Sequence, residues 1–490
     1  MAHSPTTRNQ PDIGLSLRVA PLAWLSRVYG EHSSQLLRLA IIAGVLLLSA
    51  RMASSASLRD IAVIVAALAV FLLLRVPPLG LVALIAAGLG VPFTIGTGTQ
   101  TTLNVAILMI PALAGLWLVE MLRRRHFQIV SSRTTLPLLA FVAAATISFL
   151  AGGILWNLFA RTAPLTTQAG GWAIFVFSAV AFLLVANQIK EVRWLEIFTG
   201  VFLVLSGVYM CARLLPPLYP ISSLMNDVSV GSLFWVWTAA LAAGQLLFNR
   251  KAHLVLRVGL ALVLGLTLYI GWFVARSWTS GWLPPMIAVG VILWLRSWRL
   301  GLLVTFAAVL FVFVFHPELM DRVLSTESYS IHTRDAARDI LLTQVLPLSP
   351  IFGLGPANYY WYTPLYPILG WYVSFNSHNN FVDILMQTGV LGMAFFAWFA
   401  FEVGRLGWNL RKRFVNDFAQ GYVYGCLGGL AGTLVACWLA DWLLPFVYNI
   451  GLNGFRASML AWLFWGGLVS LENIARQSQT TDVRTPTRAQ

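Results

Sequence analysis

The sequence predicts an all-α, polytopic membrane protein with about 14 transmembrane helices (12–14) and one large external loop containing short helices. Three observations carry that expectation. Of the 490 residues, 58% are hydrophobic and only 10% are charged, where a soluble domain carries about 25% charged residues. A spanning helix takes about 20 mostly apolar residues, so the apolar supply suffices for about fourteen. The Lys and Arg residues, finally, gather on alternate sides of the apolar runs, as the positive-inside rule demands. This balance excludes a soluble enzyme, a disordered chain and a nucleic-acid binder. The net charge of +14 reads instead as positive-inside bias. Cys211, Cys426 and Cys437 fall in or beside apolar stretches and have neither a disulfide framework nor metal-ligand spacing.

Residues 1–35 form a polar cytoplasmic segment with Arg8, Arg18 and Arg27. No apolar run there leads to a small-residue cleavage site, so the first apolar helix is expected to act as an uncleaved anchor. Apolar runs then cover 36–53, 60–76, 78–95, 103–121, 135–152, 172–189, 194–212, 231–249, 253–275, 282–296 and 299–316, giving eleven spans within 36–316. Residues 317–379 make the one long loop, expected to be external and catalytic. Runs at 380–404, 419–441 and 452–471 give three more spans within 380–471, and 472–490 is a polar tail expected to be cytoplasmic and disordered. With the N-terminus in the cytoplasm, 23 of the 32 Lys and Arg residues lie inside and nine outside. Both termini are then cytoplasmic, and the long loop and the turn ARSWTSGW after the ninth span are external. The first connection runs against the bias, putting Arg51 and Arg59 outside; a re-entrant pair there leaves the remaining topology unchanged.

The charge-poor outer side is where each charge asks for a reason. Within HTRDAARDILLTQVL, Thr333 is a candidate N-cap, and Ile340, Leu341, Val345 and Leu346 form the apolar stripe of a short amphipathic helix. Arg334 and Arg338 are four residues apart and share a face, with Asp335 and Asp339 beside them. An Asp335–Arg338 pair on a solvated helix accounts for Arg338 equally well. Arg334, one residue past the cap, stands where the helix dipole disfavours a cation. Gly353, Gly355 and Pro356 read as turn residues rather than as a phosphate cradle. His378 stands just before the next span, with Asn379 or Asn380 able to cap it. A histidine there is structural or, because imidazole exchanges a proton near neutral pH, catalytic. Gly389 and Gly392, about three turns into that helix, are expected to mark close packing. The outer carboxylates, including Asp383 and Asp441, are scattered, with no Asp-x-Asp motif. No His/Cys cluster, P-loop or Gly-x-Ser-x-Gly is present.

Three stretches, SHNNFVDILMQTGVLG, HTRDAARDILLTQVLPLSPIFGLGPANYY and ARSWTSGW, together resemble the bacterial O-antigen ligase and O-antigen polymerase superfamily. Its ligases carry a His-Asn pair, nine residues and then Gly-x-x-Gly, matched here by His378, Asn379, Gly389 and Gly392. The family's loop arginine ahead of a Pro and a Gly-x-Gly turn is matched by Arg334, Pro350, Gly353 and Gly355. Its other arginine is matched by Arg276, in the stretch ending at Trp282. In place of the family's frequent aromatic four residues after the loop arginine stands Arg338, so either Arg334 or Arg338 can be the functional one. The resemblance spans residues 270–395 and extends to the layout of many spans with one large loop.

What the resemblance implies is an inverting, metal-independent glycosyl transfer without cofactor, on the periplasmic face of the inner membrane. The donor is a glycan on undecaprenyl diphosphate; the acceptor is a hydroxyl of lipid A-core, another glycan or a protein. His378 is then the catalytic base, and Arg276 with Arg334 or Arg338 holds the diphosphate. The chemistry is consistent. A departing lipid diphosphate concentrates negative charge, which guanidinium forks suit, and a neutral imidazole can deprotonate a hydroxyl. The alternatives are a polymerase extending lipid-linked chains and, in a different class, a secondary transporter. A transporter calls for ionisable groups near mid-membrane, whereas Glu120, Glu196, Glu402 and Asp441 sit near span ends.

Overall fold

The computed structural model describes residues 72–73, 75–96, 102–315 and 328–484. The segment 1–35, the runs expected at 36–53 and 60–76 (all but its last residues), Arg51, Arg59, loop residues 317–327 and the last six residues lie outside the described residues. The chain divides into two units, Met1–Pro77 with Gly115–Ser131, and Pro78–Ala114 with Ser132–Gln490. In the first unit, Glu120 accepts from Arg123 at 2.8 Å and from Arg124 at 2.5 Å, closing the end of a helix.

A helix lies on each of the twelve apolar runs among the described residues: α1 (Pro77–Gly90), α2 (Val105–Arg123), α3 (Thr135–Leu150), α4 (Leu165–Gln188), α5 (Val192–Leu214), α6 (Ser232–Phe248), α7 (Leu254–Tyr269), α8 (Thr279–Arg296), α9 (Trp298–Leu310), α11 (Asn380–Leu410), α12 (Phe418–Leu439) and α13 (Phe455–Arg484). A further helix, α10 (Ser328–Ile340), belongs to the long loop. Helices are the expected outcome for such runs, because in lipid each backbone amide and carbonyl must find its partner inside the segment. Among the described residues seven helices are long and apolar enough to cross a membrane: α2, α3, α4, α5, α7, α11 and α12. The only paired strands among them, β1 (Thr94–Gly96) and β2 (Thr102–Asn104), form an antiparallel ribbon. The apolar pattern gave no sign of it. It is tied down by Asn104 Nδ2, which donates to the Leu452 carbonyl at 2.7 Å.

Helix α6 is central to the second unit, with every residue from Ser232 to Gln245 buried. It packs on α8 and α12, while α13 packs on α4 and α11 on α3. The α6–α12 approach is so close that a Cβ at Gly244 would stand 2.7 Å from the Gly425 nitrogen. Aromatic rings fill the centre: Trp237 stacks on Phe464 at 5.2 Å, and Phe399 on Trp462 at 5.5 Å.

Two expectations are corrected. The tail expected from 472 is helical as far as Arg484. Glu472 accepts from Arg476 one turn on at 2.6 Å and from Ser132 at 3.0 Å, giving the polar extension of α13 its own support. Thr333 does not cap α10, which begins at Ser328. The intervening Ser-Tyr-Ser-Ile-His contains neither Gly nor Pro to stop the helix upstream. Arg334 therefore lies in the second turn, beyond the reach of the terminal dipole.

Candidate active site

The start of α11 is the best-anchored point of the loop region. Asn379 is its N-cap: the side-chain oxygen accepts from the amides of Phe381 at 2.9 Å and Val382 at 3.2 Å. Its amide nitrogen donates to the Trp438 carbonyl, at the end of α12, at 3.0 Å. Asn380 ties α11 to the segment after α12: its oxygen accepts from the Leu443 amide at 2.7 Å, and its nitrogen donates to the Leu444 carbonyl at 2.9 Å. Beneath them, the buried Asp383 carboxylate accepts from Tyr359 at 2.5 Å and Ser377 at 2.7 Å. Burial first, and Asp383 second, hold the Tyr359 phenol well above its usual range, so it stays a donor.

His378 stands on this platform with φ +47°, a left-handed backbone that turns the chain out of the loop and into the cap. The half-buried ring has its Nδ1 3.4 Å from the Asn449 amide nitrogen. The same nitrogen donates to the buried Asp441 at 2.6 Å, whose other oxygen accepts from the Phe446 amide at 2.7 Å. Burial lifts the Asp441 carboxyl to about 6. Burial, and next the positive charge of Arg334, lower the pKa of His378 from its usual 6.5. The ring is thus held neutral at physiological pH.

The two loop arginines serve different partners. Arg334 is the charge felt by His378. Arg338 pairs with Asp335, one turn back, and lies over the Trp438 ring at 5.4 Å. Since Trp438 also accepts from Asn379, α10 brings both arginines to the mouth of α11. Arg276 belongs to a neighbouring stretch. Its guanidinium lies over Trp272 at 5.8 Å, and its carbonyl accepts from the Trp282 indole at 3.2 Å. Trp278, two residues on, packs edge-on against Trp442, next to Asp441, at 5.9 Å.

Gly389 does more than allow helix packing. With φ +67° and ψ −172° it breaks α11, and the loop holding Gly353 (φ +69°) and Gly355 (φ +91°) plugs the gap. Across it, the Leu354 amide donates to the Met386 carbonyl at 2.9 Å and Gly355 to Gln387 at 3.1 Å. In return, Val390 donates to Pro350 at 2.8 Å and Leu391 to Ile351 at 3.2 Å. A Cβ at Gly353 would meet the Gln387 carbonyl carbon at 2.6 Å. Gly392 faces the Thr388 side chain of its own helix.

Sequence reasoning treated Asp383 and Asp441 as scattered, offered Asn380 as an alternative cap and passed over Tyr359 and Asn449; the fold gathers all five around His378. The available signal was the polar run Ser377–Asn380 recurring as Asp441 and Asn449 after the following span. Among the described residues, no three His, Cys, Asp or Glu side chains converge as a metal site would require. Chemically, the arrangement offers a neutral imidazole beside fixed positive charge, at the polar end of membrane-length helices. No protein-family model matches the chain, and neither does any curated protein.

Proposed function

We propose that the chain is an O-antigen ligase-like inverting glycosyltransferase that moves a glycan from a polyprenyl diphosphate to a sugar hydroxyl. What carries the reading is His378: an imidazole kept neutral by burial and by Arg334, mounted on the N-cap of a membrane-length helix. A neutral ring beside a cation suits a base and disfavours the rival role of a charged phosphate ligand. In the proposed step, His378 takes the acceptor's proton while its oxygen bonds to the anomeric carbon. The bond from that carbon to the diphosphate oxygen breaks, and the electron pair leaves with the diphosphate. Arg334 and Arg276, with Arg338 beside them, stabilise the charge that develops. Asn379, Gly389 and Gly392 keep the helix start and the loop in register.

The reading includes a topology of fourteen spans with both termini cytoplasmic, the 317–379 loop outside, and the site on the external face of a bacterial inner membrane. The partners are then the undecaprenyl-diphosphate-linked glycan, a lipid A-core, glycan or protein acceptor, and the bilayer. Surface glycans of cells lacking the protein test this. Free lipid A-core together with lipid-linked polymer is the expected result. Accumulation of single lipid-linked repeats assigns the polymerase reaction instead, and unchanged glycans overturn glycosyl transfer.

A further inference from the structure

An imidazole base works through one nitrogen, and its neighbours decide which. Asp441 is 0% exposed. One of its oxygens accepts from the Phe446 amide and the other from Asn449, both N–H donors. That arrangement suits a carboxylate, and it fixes the Asn449 amide with its amino side toward Asp441. The amino nitrogen is also the atom 3.4 Å from His378 Nδ1. An amino group can only donate, so Nδ1 must present its lone pair. In a neutral ring the single proton then sits on Nε2.

We propose that Asn449, its amide orientation set by Asp441, is a positioning residue that holds His378 as the Nε2–H tautomer, leaving Nδ1 as the nitrogen that takes the acceptor's proton. The inference rests on the reading of His378 as the base. The Asn449 contact is long for a hydrogen bond, and Asn449 is solvent-exposed, so an incoming hydroxyl can displace it from Nδ1. The hydroxyl proton then moves to Nδ1 as the oxygen attacks, and the ring becomes an imidazolium with a proton on each nitrogen. The charged or titratable groups gathered around it are Arg334 and Arg338 from α10, Asp383 from α11, Asp441 from the segment after α12, and Tyr359 from the loop.

The test is Asn449→Asp in the purified full-length protein, read by nitrogen-15 NMR of labelled histidine and by transfer from a lipid-diphosphate-linked glycan. His378→Gln identifies the His378 signals by difference. In the parent, Nδ1 is expected to be unprotonated. A carboxylate at 449 draws the proton onto Nδ1 and removes the working base, so transfer should fall by about a hundredfold; Asn449→Asp with Asp441→Asn, which avoids two carboxylates in contact, should show the same loss. Asn449→Leu, which neither donates nor accepts, should lose the tautomer preference and show a smaller loss. A protonated Nδ1 in the parent overturns the inference. So does an Asn449→Asp enzyme as active as the parent, the result expected if Nε2 were the base. If His378→Gln itself retains full transfer, it is the base reading that fails, and the NMR result stands separately.

Discussion

Replacing Gly389 with Ala strikes the joint that holds the loop to α11. Its φ of +67° with ψ of −172° lies in a region open essentially to glycine alone, and a side chain there costs about 1–3 kcal/mol in backbone strain. The added Cβ would also meet the Ile351 carbonyl and stand 2.6 Å from the Gly353 nitrogen. Relief requires the plug to withdraw, which puts four backbone hydrogen bonds of 2.8–3.2 Å at risk. At about 0.5–1.5 kcal/mol for each bond, losing two of them brings the total to about 2–6 kcal/mol. The assay is thermal unfolding of the purified protein in detergent, with transfer activity measured alongside. Gly290→Ala is the control: nothing lies within 4 Å of its Cβ, and alanine in a helix interior favours the fold by about 0.5–1 kcal/mol. Gly389→Ala should lower the midpoint by several degrees and depress transfer, while Gly290→Ala leaves both intact. Equal midpoints for the two variants would refute the plugged-break description.

Other perturbations separate the parts of the site. Arg276→Ala and Arg334→Ala should each lower transfer by about ten- to a hundredfold, the worth of one charge-assisted phosphate contact. Lysine should rescue poorly because it cannot fork; normal transfer by both alanine variants would remove the arginines from the donor site. Arg334→Gln should also raise the His378 pKa, since Arg334 now depresses it. A base must be neutral, so the acid limb of the parent's pH profile should lie below 6.5 and move to higher pH in the variant; an unmoved limb contradicts the assignment. Asp383→Ala leaves the Tyr359 and Ser377 hydroxyls without their shared acceptor. Ser377 keeps the Asn379 carbonyl at 2.9 Å as acceptor, so the stranded group is the Tyr359 hydroxyl, at a cost of about 1–3 kcal/mol, measured as a lowered thermal midpoint. A cysteine at Ser328 should react with a membrane-impermeant reagent on intact spheroplasts; labelling only after the inner membrane is opened would reverse the topology.

Helix positions were legible because long apolar runs report burial directly, and α11 begins within one residue of the expected start. The N-cap was legible too, since Asn before an apolar run has few other uses. The glycine at 389 was visible, but its role as a break was not. A glycine at helical spacing reads the same whether it admits a neighbouring helix or a reversed backbone, and the partner loop lies more than thirty residues away in sequence. Thr333 is a good cap in isolation, and the only local sign that α10 continues before it is the lack of Gly or Pro in Ser-Tyr-Ser-Ile-His, which permits helix without requiring it. The polar surroundings of His378 were the least legible. Asp441 and Asn449 follow two intervening helices, α11 and α12, and only the return of α12 alongside α11 brings them to the ring.

The most direct test of the central claim is single-turnover transfer by the purified, reconstituted protein, comparing the parent with His378→Ala. The substrates are a glycan on polyprenyl diphosphate and a lipid A-core acceptor, with donor binding measured on the same samples. Loss of the base should slow transfer by about a hundred- to ten-thousandfold while the donor still binds. Equal loss of binding and turnover would make His378 a phosphate ligand, and an unchanged rate would contradict the account of this site as a glycosyl-transfer centre built on His378.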